Sequence, residues 1–167
     1  MTEIIKTCQV AASPTQVWQQ LAAFDTISTW AENVDHSSLL NSLDTGVGAA
    51  RRVQVGRLAL IETVTVWEPV NELAYSIQGL PPLVKSITNQ WRVTECASGT
   101  EVSLTTFINP GASPRGKIAA KVLGLVLGRA SQQMLDGLNH AVTSPAVTSP
   151  AVASPAVTSP AKGARES

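Results

Sequence analysis

Apolar and polar positions change rhythm several times along the chain, and each change predicts an element. From Ile4 to Val10 the residues alternate, as in a strand with one face buried. Ser13-Pro14 then opens a helix, with Ser as N-cap and Pro at the first helical position. Val17, Trp18 and Leu21 fall on one face of that helix. A second short helix is predicted from Asp25 to about Trp30. Strands follow at 37–43, 49–55, 58–67, 72–78, 86–95 and 100–109, punctuated by Gly and Pro. From Pro114 to about His140 the period returns to that of a helix. Ile118, Val122, Leu125, Val126, Met134, Leu135 and Leu138 give it an apolar face broad enough to be largely buried. The order is strand, two short helices, a run of antiparallel strands, long helix. This is an α+β class in which a curved sheet is covered by the last helix.

Two turns fix expected registers. Val55-Gly56-Arg57-Leu58 has Gly at the first central position of a two-residue hairpin, as a type II′ turn requires. Val55 then faces Leu58, Val53 faces Leu60 and Arg51 faces Glu62, with both charges on the apolar face. Two readings of that pair stand side by side. It is either an edge pair worth about 0.2–1 kcal/mol, or a paired charge in a cavity that anchors a polar ligand group. A four-residue turn between Glu68 and Leu73 would place Tyr75 beside Val66 on the Glu62 face, and Trp67 on the opposite one. A hairpin at Ala97-Ser98-Gly99 puts Asn89, Trp91, Val93, Val102, Leu104 and Thr106 on one face. Arg51, Glu62, Tyr75, Asn89 and Trp91 among aliphatics have the composition of a ligand pocket, and equally of a core with a few satisfied polar groups.

The end of the chain is different. Ala141-Val142-Thr143-Ser144-Pro145 recurs unchanged from Ala146 and Ala156, and with Ala in place of Thr from Ala151. A proline every fifth residue forbids a continuous helix, so 143–167 reads as a disordered, partly polyproline II tail beside a folded domain of 1–142.

Composition narrows the chemistry. The chain has 167 residues, 44% of them hydrophobic, which suggests one domain with a real core. Lys plus Arg equals Asp plus Glu at 12 each, giving no electrostatic reason to expect nucleic acid or an anionic membrane. Cys8 and Cys96 fit no metal or redox spacing, and His36 and His140 form no ligand pair. No metal or cofactor is expected. The N-terminus lacks signal-peptide features, and Ile118 to Leu127 is too short to span a bilayer, so a cytoplasmic protein without an integral membrane segment is expected.

Several segments together are familiar. Ala12-Ser13-Pro14-Thr15-Gln16-Val17-Trp18 resembles the opening signature of the START-like, polyketide cyclase/dehydrase and lipid-transport (SRPBCC) superfamily. So do Phe24-Asp25 through Trp30 and Val34, Gly46 through Arg52, the Glu62 to Pro69 hairpin, Leu73-Ala74-Tyr75, and Trp91 with Gly99-Thr100. The resemblance covers roughly 3–142 and implies a helix-grip fold with a cavity between the sheet and the last helix. It implies binding of a hydrophobic small molecule, lipid- or polyketide-like. The candidate ligand-binding residues come from the face and loop positions: Trp30 at the helix end, and Arg51, Glu62, Tyr75, Asn89, Trp91 and Leu104 by strand register. No motif separates carriers from cyclases. In an enzyme, Glu62 would be the base, Tyr75 or His36 the acid, and Arg51 the group holding an enolate or carboxylate. A third reading is an interaction or stress-response module whose cavity is filled by side chains. Loops at Gly79 to Pro82 and Asn109 to Ser113 flank the expected opening as candidate gates.

Overall fold

A computed structural model describes residues 1–80, 84–111 and 114–144. Seven strands form one antiparallel sheet in the order β1-β7-β6-β5-β4-β3-β2. They are β1 (Thr2–Val10), β2 (His36–Leu39), β3 (Ala50–Val55), β4 (Leu58–Glu68), β5 (Glu72–Gln78), β6 (Ser86–Cys96) and β7 (Gly99–Asn109). Helix α1 (Pro14–Ala22) and a 3-10 helix (Phe24–Thr29) join β1 to β2, and α2 (Pro114–Thr143) lies against β1 and β7. This is the expected α+β arrangement of helix-grip type. The candidate gate loops lie partly, and the repeat tail from Pro145 onward wholly, outside the described residues.

The ends of α1 follow from its sequence. Ser13 accepts from the backbone N–H of Gln16, and the Gln16 side chain accepts from the N–H of Ser13 at 2.9 Å, a reciprocal capping box. Trp18 and Leu21 turn inward, and Trp18 meets Trp67 edge-on at 5.3 Å.

The β3–β4 hairpin has the expected register, with Val55 opposite Leu58 and Arg51 opposite Glu62. Gly56 takes a φ of 57°, as its turn position requires. The next hairpin differs. Glu68 pairs with Glu72, so the turn has three residues, and Asn71 N–H closes it on Glu68 O at 3.0 Å. An extra residue, Thr65, then bulges between Val64 and Val66. Tyr75 consequently sits opposite Val64, two residues from the expected neighbour but still on the Glu62 face. The bulge also reverses Trp67, which lies opposite Leu73 on the inner face and packs on α1.

Strand β2 is shorter than expected because Asn41 ends it. The Asn41 amide donates to Gly48 O at 2.8 Å and accepts from Ala50 N–H at 3.3 Å, so a side chain replaces the ladder and 40–49 leaves the sheet as a loop.

Helix α2 departs most from expectation. Met134, Leu135 and Leu138 are buried, but Ile118, Val122, Leu125 and Val126 are 59–74% exposed. The helix instead turns Ala120, Gly124, Leu127 and Gly128 toward the sheet. A β carbon on Gly124 or Gly128 would stand 3.4 or 3.5 Å from Ile4, an ordinary contact distance, so both glycines lie on the side of α2 that faces β1.

Candidate functional site

Between the inner face of the sheet and α2 lies a cavity of about 190 Å³. Most of its wall is aliphatic, from Ile27, Val34 and Val53 to Leu127 and Met134. Five polar side chains interrupt it: Asn33, Glu62, Asn89, Thr106 and Ser131. Each is delivered by a different part of the fold. Glu62 and Asn89 point inward from β4 and β6 by strand parity, Thr106 does so from β7, and Ser131 faces them from α2. Asn33 comes from the loop after the 3-10 helix.

Glu62 is held by Arg51. Nε and Nη2 of Arg51 both reach Oε2 of Glu62 at 2.6 Å, while Nη1 donates to the carbonyl of Phe24. The guanidinium lies 3.9 Å from the Phe24 ring centre and 5.2 Å from that of Tyr75. Both charged residues are buried, Arg51 at 3% exposure and Glu62 at 5%, so the pair is no edge contact. The cation is spent on the carboxylate, a carbonyl and two rings. Arg51 forms no part of the cavity wall.

A second polar chain runs from the sheet to α2. Trp91 Nε1 and Asn89 Nδ2 each donate to Tyr75 Oη at 3.3 Å. Thr106 Oγ1 donates to Asn89 Oδ1 at 2.7 Å and lies 3.3 Å from Ser131 Oγ. Since Thr106 has given its one proton to Asn89, Ser131 is the donor in the last contact. Burial, then the nearby Glu62 carboxylate, pushes the Tyr75 hydroxyl up to about 12, so it stays protonated.

The structure therefore sorts the sequence candidates. Glu62 and Asn89 reach the cavity. Tyr75, Trp91 and Leu104 are fully or almost fully buried behind it and belong to the packed core. Trp30 meets Trp91 edge-on at 6.2 Å and opens instead on a separate surface depression shared with Gly137 and His140 of α2. His36 pairs with Gln54, which puts it on the outer face of the sheet, exposed and away from Glu62. Three further wall residues, Thr106, Ser131 and Asn33, are not among the sequence candidates. Parity with Asn89 marks Thr106; Ser131 and Asn33 carry no such signal. Asn33 is the more telling, because its Oδ1 is buried without a hydrogen-bond partner among the described residues.

Among the described residues no group of His, Cys, Asp and Glu has the geometry of a metal site, and no helix is long and apolar enough to cross a membrane. Residues 1–143 match the family described as polyketide cyclase/dehydrase and lipid transport. The chain belongs to that family. It is also similar in fold to several solved structures. The Zhui aromatase/cyclase from Streptomyces sp. R1128 superposes with a TM-score of 0.68 at 20% identity, over 84% of this chain and 93% of that one. Ara h 8.0201 gives 0.69 at 9% identity, over 84% and 97%. An uncharacterised protein from Bacillus thuringiensis gives 0.68 at 22% identity, over 86% and 100%. No curated protein matches the chain.

Proposed function

We propose that this family member binds a compact hydrophobic small molecule between its sheet and α2. The carrying observation is the cavity wall: an aliphatic surface broken by Glu62, Asn89, Thr106, Ser131 and the unpartnered Asn33. Such a wall selects an apolar body with a few hydroxyl or carbonyl groups. Asn33 Oδ1 accepts a ligand hydroxyl. On Glu62, both Arg51 contacts end on Oε2, which leaves Oε1 for the ligand. Size restricts the ligand further. About 190 Å³ is below the roughly 300–1,000 Å³ usual for small-molecule pockets. A single-ring compound fits as the cavity stands, while a long-chain lipid requires the first half of α2 to move outward.

A cyclase or dehydratase reading rests on Glu62, the one proposed acid/base group that reaches the wall. The filled-cavity module is disfavoured by the space itself.

Native mass spectrometry of the freshly purified chain, followed by organic extraction, tests the binding reading. A stoichiometric apolar ligand is expected, and Asn33→Leu should weaken its retention while the fold survives. An empty protein that also takes up no apolar fluorescent probe would overturn it.

A further inference from the structure

The outward face of α2 changes character midway. By helical spacing Ile118, Val122, Leu125 and Val126 share one exposed side, which continues C-terminally through Arg129, Gln133, Asp136 and His140. From Ile118 to Val126 this side is apolar, and from Arg129 onward it is polar. Four large apolar side chains, each more than half exposed and stacked along one helix, form a contiguous patch rather than scattered surface residues.

The charge around the patch is one-sided. Before Asp136 the α2 sequence holds Arg115, Lys117, Lys121 and Arg129 and no acidic residue. Lys117, Lys121 and Arg129 are exposed, and none is in an ion pair among the described residues. Beside the patch runs a groove of about 600 Å³ between β1 and α2. Leu125 and Ile4 line it together with Lys6, Lys121 and Arg129. A chain of zero net charge thus concentrates cations around its most exposed apolar surface.

We infer that the N-terminal half of α2 docks on an anionic lipid surface. Ile118, Val122, Leu125 and Val126 enter the acyl boundary, while Lys121, Arg129 and Lys6 take lipid phosphates in the groove. A second copy of the chain is the poorer occupant, since pairing two such faces would bring the same cations together. The surface is continuous with the cavity, because Val126 also lines the cavity wall. Docking therefore sets the cavity beside the membrane. The inference does not depend on what the cavity holds, and its test uses no cavity ligand.

The full chain is mixed with vesicles of phosphatidylcholine alone, or of phosphatidylcholine with phosphatidylserine, and bound protein is separated by flotation. Binding is expected only to the phosphatidylserine vesicles and should fall as salt rises. Lys121→Glu with Arg129→Glu should weaken it at least about tenfold. Val122→Ser with Leu125→Ser should weaken it similarly, with an unchanged circular dichroism spectrum because both sites are exposed. Wild-type protein that fails to float with anionic vesicles at low salt, or that floats equally with both variants, would overturn the inference. A concentration-dependent dimer abolished by the Ser variant would also overturn it and assign the face to self-association.

Discussion

Arg51 and Glu62 face each other across the β3–β4 hairpin at 2.6 Å, buried on the same side of the sheet as the cavity. Burying a charge is costly unless its partner is present, so the two residues stabilise the fold only as a unit. Glu62→Leu alone strands the guanidinium and should cost about 3–5 kcal/mol. Arg51→Met combined with Glu62→Leu should restore most of that loss. Urea unfolding of the two single variants and the double variant forms the cycle. A Glu62→Leu cost below about 1 kcal/mol would mean that the pair behaves as a surface contact.

That pair is legible in the sequence because a two-residue turn with Gly at its first central position admits a single register. Tyr75 and Trp67 are less so. Their places depend on the bulge at Thr65, and no Gly or other local residue announces it. The outward turn of Ile118, Val122, Leu125 and Val126 is not legible either. The first half of α2 is apolar nearly all round, so periodicity does not say which side meets the sheet. In the structure it is the side carrying Ala120, Gly124, Leu127 and Gly128 that meets the sheet. Cavity volume and the open acceptor on Asn33 depend on side-chain packing between distant segments, which local pattern does not encode.

Of Gly124, Gly128 and Gly137 on α2, Gly137 lies tightest against the rest of the domain. A β carbon there would stand 2.1 Å from the carbonyl oxygen of Trp30 and 3.2 Å from its carbonyl carbon. In an isolated helix Gly→Ala gains about 1 kcal/mol. Here the helix would have to shift off the Trp30 backbone, so Gly137→Ala should instead destabilise by about 1–3 kcal/mol. Gly128→Ala is the control, since its new carbon meets Ile4 at an ordinary 3.5 Å. Thermal unfolding should show a lower Tm for the first variant and an equal or higher Tm for the second. Near-ultraviolet circular dichroism should change only for Gly137→Ala, through the Trp30–Trp91 edge contact. A neutral Gly137→Ala would refute the close approach.

Cys8 is half-buried on β1, where burial first and the carboxylate of Asp136 second push its thiol above the ordinary value of 9.0. Its thiolate is correspondingly scarce at mildly alkaline pH, and the thiolate is the form that alkylates. Asp136→Asn removes the electrostatic contribution and leaves the burial. Alkylation of Cys8 should then quicken, while Cys96, at the β6 end of the β6–β7 turn, provides an internal reference by peptide mapping. No change in the ratio of the two rates would place Asp136 too far from Cys8 to matter.

Tyr75 offers a spectroscopic probe with no background, because it is the only tyrosine in the chain. Its hydroxyl is raised from 10.0 to about 12 by burial and by Glu62, against smaller opposing effects of Arg51, Trp91 and Asn89. The sign follows from where protons are held. Below pH 10 both folded and unfolded chains keep the proton, and the Tyr75 contribution to stability is fully present. As pH rises from 10 toward about 12 the unfolded chain ionises first, so unfolding releases a proton and stability falls. Phenolate absorbance of the native protein should therefore stay flat through pH 10 and rise only near pH 12 or together with unfolding. In denaturant the same transition should return to pH 10. Tyr75→Phe removes the absorbance change and should remove part of the alkaline loss of stability. It also leaves Trp91 Nε1 and one Asn89 N–H without their acceptor, at about 1–3 kcal/mol for each buried group left unpaired. A native absorbance change centred at pH 10 would mean that the ring is reachable by water, and that the Trp91–Tyr75–Asn89 chain is not closed.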